Sequence, residues 1–313
     1  MFSDIRSACA LVASRARSVR LEEAALAPYA ASLEPESLSR PVYDTEHHFS
    51  GEHEAVLAFN ITLDTVNFGS GYFPHLHKRP GMSGYYTVAS ALKAHFERHG
   101  PLSPEDLAAL TPERTAAIFQ QDLHDPVRAE LMRHFTEALH ELGSYLDERF
   151  GGSFVRLVEA ASGSAERLAE LLSAMPYFQD VSDYNGLSVP LFKRAQITPS
   201  DLALAFDGQG WGRFDDLEAL TIFADNLVPH VLRVDGLLTY APALAQRIEA
   251  GDLLEAGTPE EIEIRAVALH AVERLAEQLP GVTPRDLDVY LWNRGQGAIY
   301  KAAPRHRTRT VFY

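Results

Sequence analysis

The same four-residue signal is written four times along this chain. Ser103-Pro104-Glu105-Asp106, Thr198-Pro199-Ser200-Asp201, Thr258-Pro259-Glu260-Glu261 and Thr283-Pro284-Arg285-Asp286 each set a hydroxyl, a proline beside it and an acid three residues after the hydroxyl. The hydroxyl can accept the amide proton three residues on, and the acid can reach back to the first residue's own N–H. Proline lacks only an N–H that a first helical turn leaves free in any case. Thr111-Pro112-Glu113 begins likewise but has Arg114 in the acid's place. Signals this regular predict a set of helices of modest length, so the fold class is mainly α.

Apolar spacing places the rest. Ile5, Cys9, Val12, Ala16 and Val19 share the face of an opening helix, a second helix is expected over 21–33, and 40–51 reads as a loop carrying His47 and His48. Val56, Phe59, Leu63 and Val66 mark a helix over 54–66, on which Asn60, Asp64 and Asn67 form a separate polar stripe that would suit a cleft or a solvated face. Helices are also predicted around Tyr85–Phe96, over 127–150 up to Gly151-Gly152, around Leu168–Met175, over 260–279 and over 284–293. One strand signal stands out: Asn185-Gly186 between two short alternating runs predicts a small β-hairpin near 178–192.

The chain has 313 residues, 46% hydrophobic, with no repeat, linker or low-complexity tract, so 1–313 is read as one domain. Its formal net charge of -15 repels polyanions, so neither nucleic acid nor an anionic membrane is expected as a direct partner. A lone cysteine, Cys9, rules out an internal disulfide or cysteine-based zinc site, and none of the thirteen histidines falls in a two-histidine helical spacing backed by an acid at a known offset, so no metal is expected. There is no leader-like or membrane-length apolar run, and a cytoplasmic monomer is expected. Gly208-Gln209-Gly210-Trp211-Gly212 lacks the preceding strand and the spacing of a dinucleotide fingerprint, so no cofactor is expected either.

The stretch 217–232 concentrates the candidate chemistry. Leu217, Leu220, Ala224 and Leu227 recur at helical spacing, which predicts a core helix carrying Asp225 and bent at that acid by Pro229. A carboxylate among apolar neighbours is costly unless it is paired or has a task. The alternative is an aspartate bonded to a neighbouring helix end. Lys193-Arg194 follows the hairpin directly and, on residue type alone, reads as a solvated basic pair.

Several stretches together resemble one family, the queuosine salvage proteins, which are queuosine 5'-phosphate N-glycosylases. They are Leu63-Asp64-Thr65-Val66-Asn67-Phe68, Ser83-Gly84-Tyr85-Tyr86, Phe192-Lys193-Arg194-Ala195-Gln196-Ile197, Phe223-Ala224-Asp225 with Val228-Pro229, Glu261-Ile262-Glu263-Ile264-Arg265, Tyr290-Leu291-Trp292, and His306-Arg307-Thr308-Arg309 with Phe312-Tyr313. They stand in the family's order from about His47 to the last residue. The resemblance implies hydrolysis of queuosine 5'-monophosphate to the base queuine and ribose 5-phosphate, in a single helical domain distantly like helix-hairpin-helix DNA glycosylases, without metal or cofactor. It further implies Asp225 as the catalytic carboxylate, Phe223 as a stacking partner of the base and Lys193 as the phosphate ligand. Asp64, Asn67, Asp288 and one of His47 or His48 are further pocket candidates. Asn293 stands where relatives are expected to carry an acid, which leaves that side chain without a role.

The physical reading is compatible with this assignment. Breaking a ribosyl C–N bond develops positive charge on the sugar, which a nearby carboxylate stabilises or attacks. Queuine carries a secondary amine, expected to be cationic, that a second acid such as Asp64 or Asp288 would suit. One tension remains, because Phe223 and Asp225 would stand about 200° apart on a straight helix. Leu279-Pro280-Gly281-Val282-Thr283 also resembles the hairpin of helix-hairpin-helix DNA glycosylases, with Thr283 in place of the usual second glycine. A nucleic-acid glycosylase and a non-catalytic queuine carrier are therefore the rival readings.

Overall fold

The computed structural model describes residues 1–33, 38 and 41–313. The described part is mainly helical, with two small two-stranded antiparallel sheets. Arg40, at the start of the loop expected over 40–51, lies outside the described residues. No helix among the described residues is long and apolar enough to cross a membrane.

The Pro259–Ala276 helix runs through the interior, with Ile262, Ile264, Val267, Leu269 and Val272 all buried, and it packs along the opening Phe2–Arg15 helix. The Pro126–Phe150 helix is capped by Asp125, whose carboxylate accepts the Val127 and Arg128 amides, and it ends on Gly151 in the left-handed region. The predicted hairpin pairs Val181–Tyr184 with Leu187–Pro190 through Asn185 and Gly186, both at positive φ, as a tight two-residue turn requires.

Three expectations give way, each for a local reason. The first helix ends at Arg15, and Val19 lies instead on a strand, Val19–Leu21, paired with Leu238–Tyr240. Buried Glu263 collects the amides of Arg17, Ser18 and Val19 at 2.6–3.1 Å, which draws the chain off the helix axis. Thr198-Pro199 does not start a helix. It lies inside the Lys193–Ala205 helix, which begins earlier because the Asp180 carboxylate takes the Lys193 amide at 3.1 Å and Phe192 turns the chain at φ 47°. Thr258 precedes a helix without capping it, its hydroxyl donating to the Glu255 carbonyl. Ser103 and Thr283 do close both halves of their capping boxes.

The largest departure is at 217–232. Leu217–Ala219 forms a short 3-10 turn, 220–227 is irregular, and only Val228–Val234 is α-helix, so Pro229 starts that helix and bends nothing. Helical spacing here reflects burial from all sides, since Leu220 through Ala224 are all enclosed.

One buried ion pair ties the irregular segment to the rest. Arg265 meets Asp180 with both guanidinium nitrogens, at 2.9 and 2.6 Å, donates from Nε to the Ala224 carbonyl at 2.9 Å, and lies 4.2 Å over the Tyr313 ring. The chain end is locked in with it: Gly69 N–H donates to the Tyr313 carbonyl, and a Cβ at Gly71 would collide with the Thr308 carbonyl. Arg194 is buried rather than solvated, bonded to the Thr65, Tyr177 and Val311 carbonyls.

Removing one partner of a buried pair strands the other's charge. Asp180→Ala is therefore expected to lower the unfolding free energy by about 3–5 kcal/mol in urea titration. Arg213→Ala, which breaks the exposed Arg213–Asp215 pair, should cost less than about 1 kcal/mol. Similar losses for the two variants would contradict this account of the core.

Candidate active site

The segment 220–227 is buried without regular partners for its backbone, so side chains supply them. Gln196 accepts the Thr221 amide at 3.1 Å, Asp288 Oδ1 accepts the Phe223 amide at 2.9 Å, and Arg265 serves the Ala224 carbonyl. Asp225 Oδ1 then accepts the Leu227 and Val228 amides at 2.7 and 3.1 Å, at the start of the next helix. Its Oδ2 makes no hydrogen bond among the described residues. The angular conflict between Phe223 and Asp225 disappears, because neither sits on a helix. Both line the same cavity.

That cavity has a volume of about 430 Å³, within the range of small-molecule sites. Lys193, the first residue of its helix, reaches it from below. The Lys193 side chain is 5% exposed, and Nζ donates to the Asn67 carbonyl at 2.9 Å, leaving further N–H donors. Burial pushes its pKa down, and the charge of Asp225 opposes that shift. The Asn67 and Asp288 side chains also line the cavity, and Arg305 stands exposed at its rim.

Opposite stands an aromatic wall of Tyr43, Tyr85, Tyr86 and Trp292. Trp292 meets Tyr85 and Tyr86 edge-on, at centroid distances of 5.9 and 5.8 Å. His48 holds this wall in register. Its Nδ1 faces the Asp44 carbonyl at 3.0 Å, an acceptor only, so the ring proton sits there and Nε2 accepts the Tyr85 hydroxyl at 2.8 Å. Burial lowers the His48 pKa, which keeps the ring neutral at pH 7.

Two candidates stand outside the cavity lining. His47 bonds Asp44 Oδ2 at 2.7 Å and stacks on Tyr86 at 4.1 Å, so it braces the wall from behind. Asp64 is 1% exposed and lies behind Asp201, which does line the cavity. Burial first, and the charge of Asp201 second, push the Asp64 carboxyl well above the usual carboxylate range. Asp201 is pushed up to about 6 by burial, with Asp64, Lys193 and Arg285 opposing the shift. The pair thus retains one proton near neutral pH.

Asp201 is not among the residues that the sequence marks for the site, although a signal is present. Lys193, Ile197, Ser200, Asp201 and Leu204 all line the cavity and fall at helical spacing. Assigning Asp201 to a cap at Thr198-Pro199 concealed that face. Tyr43 and the roles of Tyr85 and Trp292 carried no comparable signal, since aromatic residues fit a core equally well.

The cavity thus brings together an aromatic wall, a buried ammonium and a half-anchored carboxylate. Against that geometry, the sequence matches the family model described as queuosine salvage protein over residues 47–313. The queuosine 5'-phosphate N-glycosylase/hydrolase of Sphaerobacter thermophilus is 38% identical over 311 residues, spanning 96% of this chain and 95% of that protein. The proteins of the same name from Dictyostelium discoideum and Mus musculus are 32% and 30% identical, spanning 86% and 84% of this chain and 82% and 83% of their own lengths. The extent of these matches, with the residues that meet in the cavity, places this chain in the queuosine salvage protein family.

Proposed function

We infer that this chain hydrolyses the N-glycosidic bond of queuosine 5'-phosphate, releasing queuine and ribose 5-phosphate. The observation that carries the chemistry is Asp225, with one oxygen held by two amides and the other unbonded among the described residues, in a cavity that Lys193 also lines. The family and the names of the relatives supply the substrate class.

In this reading Asp225 faces the anomeric carbon. As the C–N bond lengthens, positive charge grows on the sugar, and a fixed carboxylate in a water-poor site stabilises it without reorganising. The two amide hydrogen bonds fix where that charge sits. Lys193 takes the 5'-phosphate. Its burial makes an anion the natural partner, since an ammonium out of water gains most from a charge-assisted bond. The base lies between Phe223 and the aromatic wall. Asp201, backed by Asp64 whose own carboxyl burial raises well above the usual range, presents the single negative charge that suits the base's secondary amine.

Incubation with queuosine 5'-phosphate, followed by mass analysis for queuine and ribose 5-phosphate, tests the activity directly. Asp225→Asn should abolish release while keeping substrate affinity within about tenfold, because it removes charge rather than shape. A protein that binds queuine but yields no ribose 5-phosphate would instead be a carrier. Lys193→Ala should lower kcat/KM for the nucleotide by roughly 10- to 100-fold, the worth of a hydrogen bond to a charged group, and spare the unphosphorylated nucleoside. Equal turnover of nucleotide and nucleoside by the unaltered protein would remove Lys193 from the phosphate site.

A further inference from the structure

Departure of the base needs a proton, and Asp225 does not supply it. Its Oδ1 already accepts two amides, an arrangement suited to the anionic form, and its place is at the sugar. A 7-deazaguanine base carries carbon at position 7, so the site that a purine would protonate is absent. A second acid must therefore stand near the base.

Asp288 has the required geometry. It sits on the Pro284–Arg294 helix, lines the cavity and is 5% exposed. Its Oδ1 is occupied by the Phe223 amide at 2.9 Å, which ties it to the segment that carries Asp225 two residues on. Its Oδ2 has no hydrogen-bond partner among the described residues. We propose that Asp288 is the general acid of this site, delivering a proton from Oδ2 to the departing base. This rests on the glycosylase reading above.

The electrostatics support a protonated donor. Burial first, then the charge of Asp225, push the Asp288 carboxyl up to about 7, while the Phe223 amide and Lys193 oppose the shift. The charged groups facing it are Asp225 from the irregular segment, Lys193 and Asp201 from the Lys193–Ala205 helix, and Arg285 from its own helix. Two carboxyls in one cavity thus differ in their surroundings: Asp225 is anchored by two amides, and Asp288 holds one amide in a site whose burial favours its neutral form. Asp201 is less suited, because Asp64 behind it is the more strongly raised of the two carboxyls and Asp201 reaches only about 6.

The step balances with water alone. The C1'–N9 bond breaks with its electron pair going to N9 of the base, and the Asp288 proton joins that nitrogen. Water adds its oxygen to C1', and the proton it loses returns to the Asp288 carboxylate.

Asp288→Asn separates donation from anchoring, because the amide oxygen still accepts the Phe223 N–H but the side chain has no acidic proton. On queuosine 5'-phosphate, kcat should fall about 10²- to 10⁴-fold, the usual contribution of a general acid, with KM within about threefold. Cleavage of 4-nitrophenyl ribofuranoside 5-phosphate, whose leaving group needs no proton, should fall less than about tenfold. With the unaltered protein, kcat should decline as pH rises through about 7, because the donor must be protonated, and Asp288→Asn should lack that alkaline limb. Equal losses on both substrates, full activity of Asp288→Asn, or a wild-type kcat flat from pH 5 to 9 would each overturn the assignment. If the unaltered protein releases no base, the glycosylase reading fails as well; if it does and Asp288→Asn matches it, only this inference fails.

Discussion

A guanidinium removed from water costs several kcal/mol unless its donors are met, and Arg265 sits at 1% exposure in the middle of the molecule. Asp180 takes two of its N–H groups, the Ala224 carbonyl takes Nε, and the Tyr313 ring covers its face. Each partner belongs to a different part of the chain: the approach to the hairpin, the irregular segment before Asp225, and the last residue. Asp180 also accepts the Lys193 amide and so fixes where that helix begins. One desolvated charge therefore sets the relative positions of Lys193 and Asp225, which lie 32 residues apart in sequence.

The same logic runs through the carboxyls. Asp180, Asp225, Asp288 and the Asp64–Asp201 pair are one kind of side chain in four environments: against a guanidinium, on two backbone amides, on one amide beside a like charge, and against each other. Burial raises Asp64, Asp201 and Asp288. Bound protons are thus supplied at and behind the cavity wall by burial, with neighbouring charge second at Asp64 and Asp288, rather than by residue identity.

Much of the frame was legible in the sequence. Local rules placed the capped helices at Ser103 and Thr283, the long helix closing on Gly151 and the Asn185-Gly186 hairpin, because caps and tight turns are decided within a few residues. Local rules failed where distant side chains replace backbone partners. Glu263 reshapes 17–19, Asp180 moves a helix start ahead of Pro199, and Gln196, Asp288 and Arg265 hold 220–227 out of a helix that its apolar spacing suggests.

By itself the sequence determined that the chain would be mainly helical and where several helices begin, since these follow from periodicity and capping chemistry, while Asp225 stood out by residue type among apolar neighbours and Lys193 through the family resemblance. Only the tertiary structure decided that Asp225 holds two amides at a helix start from an irregular buried segment, that His47 braces the aromatic wall from outside the cavity lining, and that Asp201 rather than Asp64 reaches the cavity. Those outcomes depend on which polar groups meet across long sequence separations in a medium without water to satisfy them, and no local pattern records that.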